Sequence, residues 1–347
     1  MLSIKKTFLA INFGCRVNAA ETNQWSQILI EKGYLPSTVD DLPSIILINT
    51  CAITKKGEKE SINKVKTLHQ KFPKAKIVVS GCAEFKKIKD LKNVTVYNNR
   101  DKEKILKKLK LSYTPIIKDK FSKTNRYLLK IQSGCTQFCS YCVVPFKRNY
   151  LYSIPIADVI KTVNQAVKNG YQEIIITGVN IDQYQYDLSI LIKNILDKTK
   201  IKLISFGSIP INCLTQDFIN LYQQPKYQNR LSHFLHIPIQ SGSDKILKLM
   251  NRPYTKKNIL NKFRNLKFEI RNLKFGTDII VGFPTETYAD FQKTQNLCQQ
   301  IGFSKIHVFK FSPRPNTKAR ILFENSAKIS KDTLKSRSQK IRSVQLN

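Results

Sequence analysis

Three cysteines, Cys15, Cys51 and Cys82, each stand just past an apolar run, one strand–helix repeat apart. No other feature constrains the fold of this chain as much. Residues 7–13, 44–49 (SIILIN) and 76–80 (KIVVS) are short apolar runs that read as buried strands, with 94–97 as a weaker fourth. Between them, 19–32 reads as a helix ending at Gly33 and 58–72 as a helix stopped by Pro73. A basic helix is expected over 101–109. Strands alternating with helices in this way specify an α/β domain with an open parallel sheet covered on both faces. All carboxyl ends of such a sheet lie on one edge, where ligands bind. Three cysteines distant in sequence are thereby expected on one rim. Each lies beside Gly14, Thr50 or Gly81 rather than inside an apolar run, which favours a shared site over three separately buried thiols.

The first domain is expected over residues 1–111, followed by a polar linker at 112–125 (SYTPIIKDKFSKTN). A second βα series occupies 126–325. Its strands are expected at 127–132, 173–177, 202–206, 234–239, 276–281 and 305–309. Its helices are expected at 156–169, 188–198, 216–222, 256–272 and 286–301. Six βα units fall short of the eight of a closed barrel and suggest a partial (βα)6, TIM-like barrel. The last segment, 326–347, reads as a basic helix beginning at residue 327, with six Lys or Arg against one Asp. No further domain is read after it.

The strongest local signal is Gly134-Cys135-Thr-Gln-Phe-Cys139-Ser-Tyr-Cys142, directly after the first strand of the second series. Three thiolates spaced C-x3-C-x2-C can hold three irons of a [4Fe–4S] cluster and leave the fourth open to an external ligand. A Cys3His zinc site is the alternative. It lacks a nearby fourth ligand, the closest histidines in sequence being His69, His233 and His236. Cys213 and Cys298 lie in apolar, helical contexts and read as inert core thiols.

Composition narrows the partners. The 59 Lys+Arg against 24 Asp+Glu give a net charge of +35, which predicts a polyanionic partner, nucleic acid first. Lysine is spread along the chain, with runs over 55–76, 102–123, 245–274 and 328–342 that also suit solvated helix faces. No apolar run approaches the ~18 residues of a membrane span. The opening MLSIKKTFLAINFGC imitates a signal peptide, but Asn12 interrupts it and no small-residue cleavage site follows, so it reads as a buried first strand. Clustered cysteines without a disulfide framework suit a reducing, cytoplasmic setting.

The C-x3-C-x2-C spacing resembles the radical S-adenosylmethionine (SAM) superfamily, and two cysteine triads in one chain resemble its methylthiotransferases. The matching stretches are FGCRVNAAET (13–22), NTCAIT (49–54), SGCAEF (80–85), IQSGCTQFCSYCVVPF (131–146), IITGVN (175–180), LHIPIQSGSDKILKLMNRPYT (235–255), TDIIVGFPTET (277–287) and HVFKFSPRPNTKA (307–319). The resemblance implies two [4Fe–4S] clusters, on Cys15/Cys51/Cys82 and Cys135/Cys139/Cys142. It also implies two SAM molecules per turnover, one giving a methyl group to sulfur and one cleaved to a 5′-deoxyadenosyl radical. Gly178, Asn180, Gln240, Ser241 and Asp278 match strand ends that contact SAM, while His236 and His307 read as strand-packing residues. The expected partners are the anticodon loop of tRNA, an electron donor such as a flavodoxin or ferredoxin, and a sulfur source, with no membrane. The Gly-Cys-Arg-Val-Asn opening and His307-Val-Phe resemble the branch acting on C2 of N6-threonylcarbamoyladenosine at tRNA position 37. Branches acting on N6-isopentenyladenosine-37 or on a ribosomal-protein aspartate are the alternatives. A non-enzymatic RNA-binding iron–sulfur protein is the rival from another class, disfavoured because binding RNA needs neither triad.

Three departures from the family pattern stand out. Its C-terminal RNA-binding β-barrel is expected to be absent. The arginine-rich stretch after the cysteine loop reads KRNYLYSIP, keeping Lys147 and Arg148. A glutamate–proline pair after the third barrel strand reads Ser208-Ile209-Pro210-Ile211, with no carboxylate. These changes bear on substrate handling, not on cluster binding.

Overall fold

The computed structural model describes residues 6–102, 105 and 125–345. The linker over 112–124 and most of the expected helix over 101–109 lie outside the described residues, as do residues 1–5. The N-terminal sheet contains β1 (Thr7–Asn12), β2 (Leu35–Pro36), β3 (Ile45–Thr50), β4 (Lys76–Gly81) and β5 (Val94–Tyr97), in the order β2-β1-β3-β4-β5 and parallel throughout. Alternate side chains divide between two faces. Leu9, Ile46, Ile48, Ile77 and Val79 pack against Ile62, Val65 and Leu68 of α2 (Lys55–Lys71). Phe8, Ile45, Leu47 and Val78 pack against Trp25 and Leu29 of α1 (Arg16–Glu31). The central strand β3 is therefore buried along its whole length, as its unbroken apolar run requires.

The second unit is an arc of six parallel strands. β6 (Arg126–Ser133), β8 (Glu173–Gly178) and β9 (Leu203–Phe206) form one sheet, edged by the antiparallel β7 (Tyr152–Ser153). β10 (Phe234–His236), β11 (Lys274–Val281) and β12 (Lys305–Lys310) form the other. Single bridges Ile204↔Leu231 and Ser208↔His236 join the two sheets into the expected partial barrel. Alternation again decides what faces where. Leu129, Ile131, Ile174, Ile176, Leu235, Ile237, Phe275, Ile279 and Ile306 belong to the large core shared with the outer helices. Lys130, Gln132, Thr177, His236, Asp278 and His307 occupy the intervening positions and so line the inner face.

The tail is shorter and better anchored than its basic composition suggests. An additional helix spans Lys318–Glu324, and the last one spans Lys331–Arg342, capped by Ser330. Ile341 of that last helix is fully buried, Leu334 lies against Gly282, and Arg337 pairs with Glu286. An apolar stripe one heptad apart (Leu334, Ile341) thus docks the helix on β11 and β12.

α1 covers the inner face of β6 and β8. There Glu21 receives two bonds from Arg148, at 2.8 and 2.9 Å, one from Lys130 at 3.0 Å and one from Lys102. A second clasp joins Arg314 to Glu58 on α2. The N-terminal unit therefore closes the open side of the barrel with its cysteine edge turned inward.

Candidate active site

β6 delivers the chain to Gly134, whose φ is +88°. A Cβ there would lie 1.6 Å from the Tyr150 carbonyl oxygen, so only glycine lets the cysteine loop leave the strand. The loop is then held from outside. Ser140 donates to Leu249 O at 2.7 Å, and Asn251 Nδ2 donates to Gln137 O at 3.1 Å and Phe138 O at 3.2 Å. Two side chains point N–H groups at sulfur: Arg252 Nη1 lies 3.4 Å from Cys139 Sγ, and Asn180 Nδ2 lies 3.7 Å from Cys135 Sγ. Burial raises the Cys135 thiol, and burial with repulsion from Cys139, Cys135 and Cys82 pushes Cys142 up to about 12.

The other triad forms on the predicted rim. Cys15 stands at the N-cap position of α1, its sulfur exposed and not hydrogen-bonded to the helix. Gly14, at φ +94°, leaves the space beside Cys51; its Cβ would lie 2.7 Å from Cys51 Sγ. Asn18 ties the loop together, donating to Phe13 O at 3.1 Å and Thr50 O at 2.9 Å. Burial raises the Cys51 thiol, and neighbouring Cys82 and Cys15 add to the rise. Cys82 packs with Ala52 and with Val143 of the barrel's cysteine loop. Asn99 spans the same seam, donating to Gly81 O at 3.0 Å, Cys82 Sγ at 3.5 Å and Lys147 O at 3.1 Å. Beside it opens a cavity of about 310 Å³ lined by Phe85, Asn99, Arg100, Phe146 and Lys147 among others.

The donor sets suit iron–sulfur clusters. Among the described residues, neither triad gathers three sulfurs within 4.8 Å of one another. One zinc ion with Zn–S near 2.3 Å would need sulfurs roughly 3.8 Å apart. Wider spacing suits a group of several irons, and N–H donors aimed at sulfur suit thiolate ligands. Cys213 and Cys298 are buried elsewhere in the barrel core, as expected of packing residues.

The five sequence-derived SAM positions separate. Gly178 and Asn180 sit at the end of β8 beside the cysteine loop, the Asn180 amide bonded to Gln132 Oε1 at 2.9 Å. Gln240 adopts φ +67° and bridges to Ile279 at the strand ends. Ser241 and Asp278 do not offer free side chains to that rim. The Ser241 hydroxyl is buried against Thr294 Oγ1 at 3.2 Å, because the loop after β10 packs on the helix Tyr288–Ile301. The Asp278 carboxylate meets His236 at 2.8 Å and His307 at 3.2 Å across three adjacent strands. Sequence reasoning missed Glu21, Asn99, Arg148 as a buried residue, and Arg252. Glu21 and Arg252 fall within the family-like stretches quoted above; Asn99 carries no such signal.

Comparison with known proteins agrees with this geometry. Residues 129–298 match the Radical SAM superfamily model, and residues 7–101 match the model described as Uncharacterized protein family UPF0004. A threonylcarbamoyladenosine tRNA methylthiotransferase MtaB of Chlamydia pneumoniae is 32% identical, over 91% of this chain and 77% of its own. A tRNA-2-methylthio-N(6)-dimethylallyladenosine synthase of Thermodesulfovibrio yellowstonii is also 32% identical, over 88% and 76%. The solved radical SAM methyltransferase TsrM of Kitasatospora setae, with cobalamin and a [4Fe–4S] cluster bound, shares the fold at a TM-score of 0.63 and 11% identity, over 92% of this chain and 77% of that one. With two cysteine triads meeting across one domain seam and relatives matched over most of both chains, this chain belongs to the radical SAM methylthiotransferase family.

Proposed function

We propose that this enzyme adds a methylthio group to C2 of N6-threonylcarbamoyladenosine at position 37 of tRNA. The observation that supports the reading is the packing of Cys82 against Val143, which brings the edge of one cysteine set against the loop that carries the other. In this reading Cys15, Cys51 and Cys82 hold one [4Fe–4S] cluster, and Cys135, Cys139 and Cys142 hold the other. When bound, the clusters supply the reducing electron that cleaves SAM and a place to hold the sulfur to be transferred. The protein's own residues do the rest. Arg252 and Asn180 orient the ligand thiolates, and Gly178, Asn180 and Gln240 form the rim on which SAM would lie. Exposed Phe138, Phe146 and Tyr152 lie in or near the cysteine loop and offer stacking surfaces for splayed anticodon-loop bases. The net charge of +35 attracts the RNA backbone. No described helix is long and apolar enough to cross a membrane. A flavodoxin or ferredoxin as electron donor, a separate sulfur source and a cytoplasmic setting complete the proposal.

Mass spectrometry of tRNA nucleosides from cells with and without the gene tests it. Loss of 2-methylthio-N6-threonylcarbamoyladenosine in the deletion supports the reading. Loss of the methylthio group from the isopentenyl nucleoside alone would move the substrate to that of the second relative. An unchanged nucleoside profile would turn the search to a ribosomal-protein aspartate.

A further inference from the structure

The inner face of the barrel carries a second convergence of metal-binding side chains, made by its last three strands. Register sets His307 on β12 opposite Asp278 on β11, while His236 on β10 pairs with Gly276, one inner-face position away. Asp278 Oδ1 lies 2.8 Å from His236 Nε2 and 3.2 Å from His307 Nδ1. All three donor atoms fall within 4.8 Å of one another, the one such group of His, Cys, Asp or Glu among the described residues. The space is built for the rings. A Cβ at Gly276 would meet His236 Nδ1 at 2.7 Å, and the two imidazoles lie tilted by 34° with centroids 5.1 Å apart. The His236 side chain is 8% exposed, Asp278 21% and His307 47%, so the group is walled on one side and open to the lumen on the other. The methylthiolation reading assigns His236 and His307 no task, and Asp278, matched in sequence to a SAM-contacting strand end, has one carboxylate oxygen held by both of them.

We propose that His236, Asp278 and His307 bind one divalent transition-metal ion of the zinc class. Ligands about 2.0–2.1 Å from a tetrahedral ion stand roughly 3.3 Å apart, close to the 2.8 and 3.2 Å that separate Asp278 Oδ1 from the two imidazoles. Two imidazoles and a carboxylate, with no thiolate, select zinc, manganese or ferrous iron and not an iron–sulfur cluster. Three strand-borne ligands leave a fourth position facing the lumen, the arrangement of a metal site that keeps an exchangeable ligand.

The test uses the full chain with both clusters reconstituted anaerobically, so that the cysteines are filled before zinc alone or cobalt(II) alone is added. Metal analysis after gel filtration should find one zinc per chain beyond the cluster iron. Cobalt should give the visible bands of a nitrogen–oxygen tetrahedral site without thiolate charge transfer. His307→Ala, at a half-exposed position, and Asp278→Asn should each weaken binding at least ~100-fold, with cluster iron content and circular dichroism unchanged. Should either variant lose its fold, the other and the cobalt spectrum of the parent still decide. Three outcomes overturn the site: no zinc retained at micromolar concentration, cobalt showing thiolate charge transfer, or His307→Ala binding like the parent. None of these readouts depends on tRNA, so the site can fail while the methylthiotransferase reading stands, and the reverse.

Discussion

Replacing Glu21 by glutamine should loosen the joint between the two domains. Burial alone would raise this carboxyl, but Lys130, Arg148 and Lys102 hold it well below the usual range, so it is ionised. Its side chain is 4% exposed, and it takes two bonds from Arg148, whose side chain is 2% exposed. Removing one partner of a buried ion pair costs about 3–5 kcal/mol, because the other charge is left uncompensated. Relief comes from two of the three cations. Lys102 has its pKa drawn down to about 8 by burial, so it can shed its proton, and Lys130 is 23% exposed and can reach water. Arg148 can do neither. The cost should therefore sit near the lower bound, about 3 kcal/mol, or roughly 6–12 °C in melting temperature. The chain's single tryptophan, Trp25, lies on α1 with the Lys102 ammonium 5.6 Å from its ring, so its fluorescence reports this joint directly. Thermal and urea melts of cluster-free Glu21→Gln, followed at Trp25, should show the early transition. Adding Arg148→Met should restore most of the loss, since an apolar side chain of similar length leaves no orphan charge. A melt within about 0.5 kcal/mol of the parent, or a double variant no better than the single one, would refute the reasoning.

Three further outcomes follow from the same geometry. Burial would raise the Asp290 carboxyl, but bonds from Ser243, Thr287 and Lys245 bring it down to about 2. It therefore contributes about 2 kcal/mol that is present above pH ~4 and lost as pH falls toward 2, and Asp290→Asn should flatten that part of a stability–pH curve. Gly134→Ala should cost about 3 kcal/mol or more and lower the iron content of the Cys135 loop, since its Cβ would lie 1.6 Å from Tyr150 O. Cys139→Ala should abolish 5′-deoxyadenosine formation, whereas Cys51→Ala should stop methylthio transfer while SAM cleavage continues; equal loss of cleavage in both would end the proposed division of labour.

What was legible in the sequence depended on how local its cause was. Strands β3, β4 and β8 lie within a residue of expectation at each end because an apolar run bounded by Gly, Pro or polar residues needs no distant partner to be recognised. The rim of three cysteines was legible for the same reason: parallel strands must end on one edge. β7 was not, since two residues carry no period. Nor was the docking of α1, because Glu21 and Arg148 meet across 127 residues and either alone reads as a surface charge. The His236–Asp278–His307 group was missed through alternation itself, as each looked like a single polar residue on its own strand. Only the parallel register across β10, β11 and β12 shows that the three share a face at neighbouring levels.

That distinction also changes the meaning of the shortened arginine-rich stretch. Read as sequence, Lys147 and Arg148 are the remnant of a charge run that would grip RNA. In the fold Arg148 is 1% exposed and bonded to Glu21, Asn18 and Ser133, so no phosphate can reach it. Arg337 and Arg314 are likewise buried against Glu286 and Glu58. These cations hold the fold, and any charge offered to RNA must come from exposed lysines and from exposed arginines such as Arg16, Arg264 and Arg271. Each lysine that neutralises a phosphate steepens the fall of log K with log salt by about 0.7–0.9. Arg148→Ala should therefore destabilise the protein as Glu21→Gln does, yet leave the salt slope of tRNA binding per folded molecule unchanged. Substitution of an exposed, phosphate-contacting lysine should do the opposite. A slope lowered by about one unit in Arg148→Ala, with stability intact, would mean that the guanidinium leaves Glu21 to bind RNA.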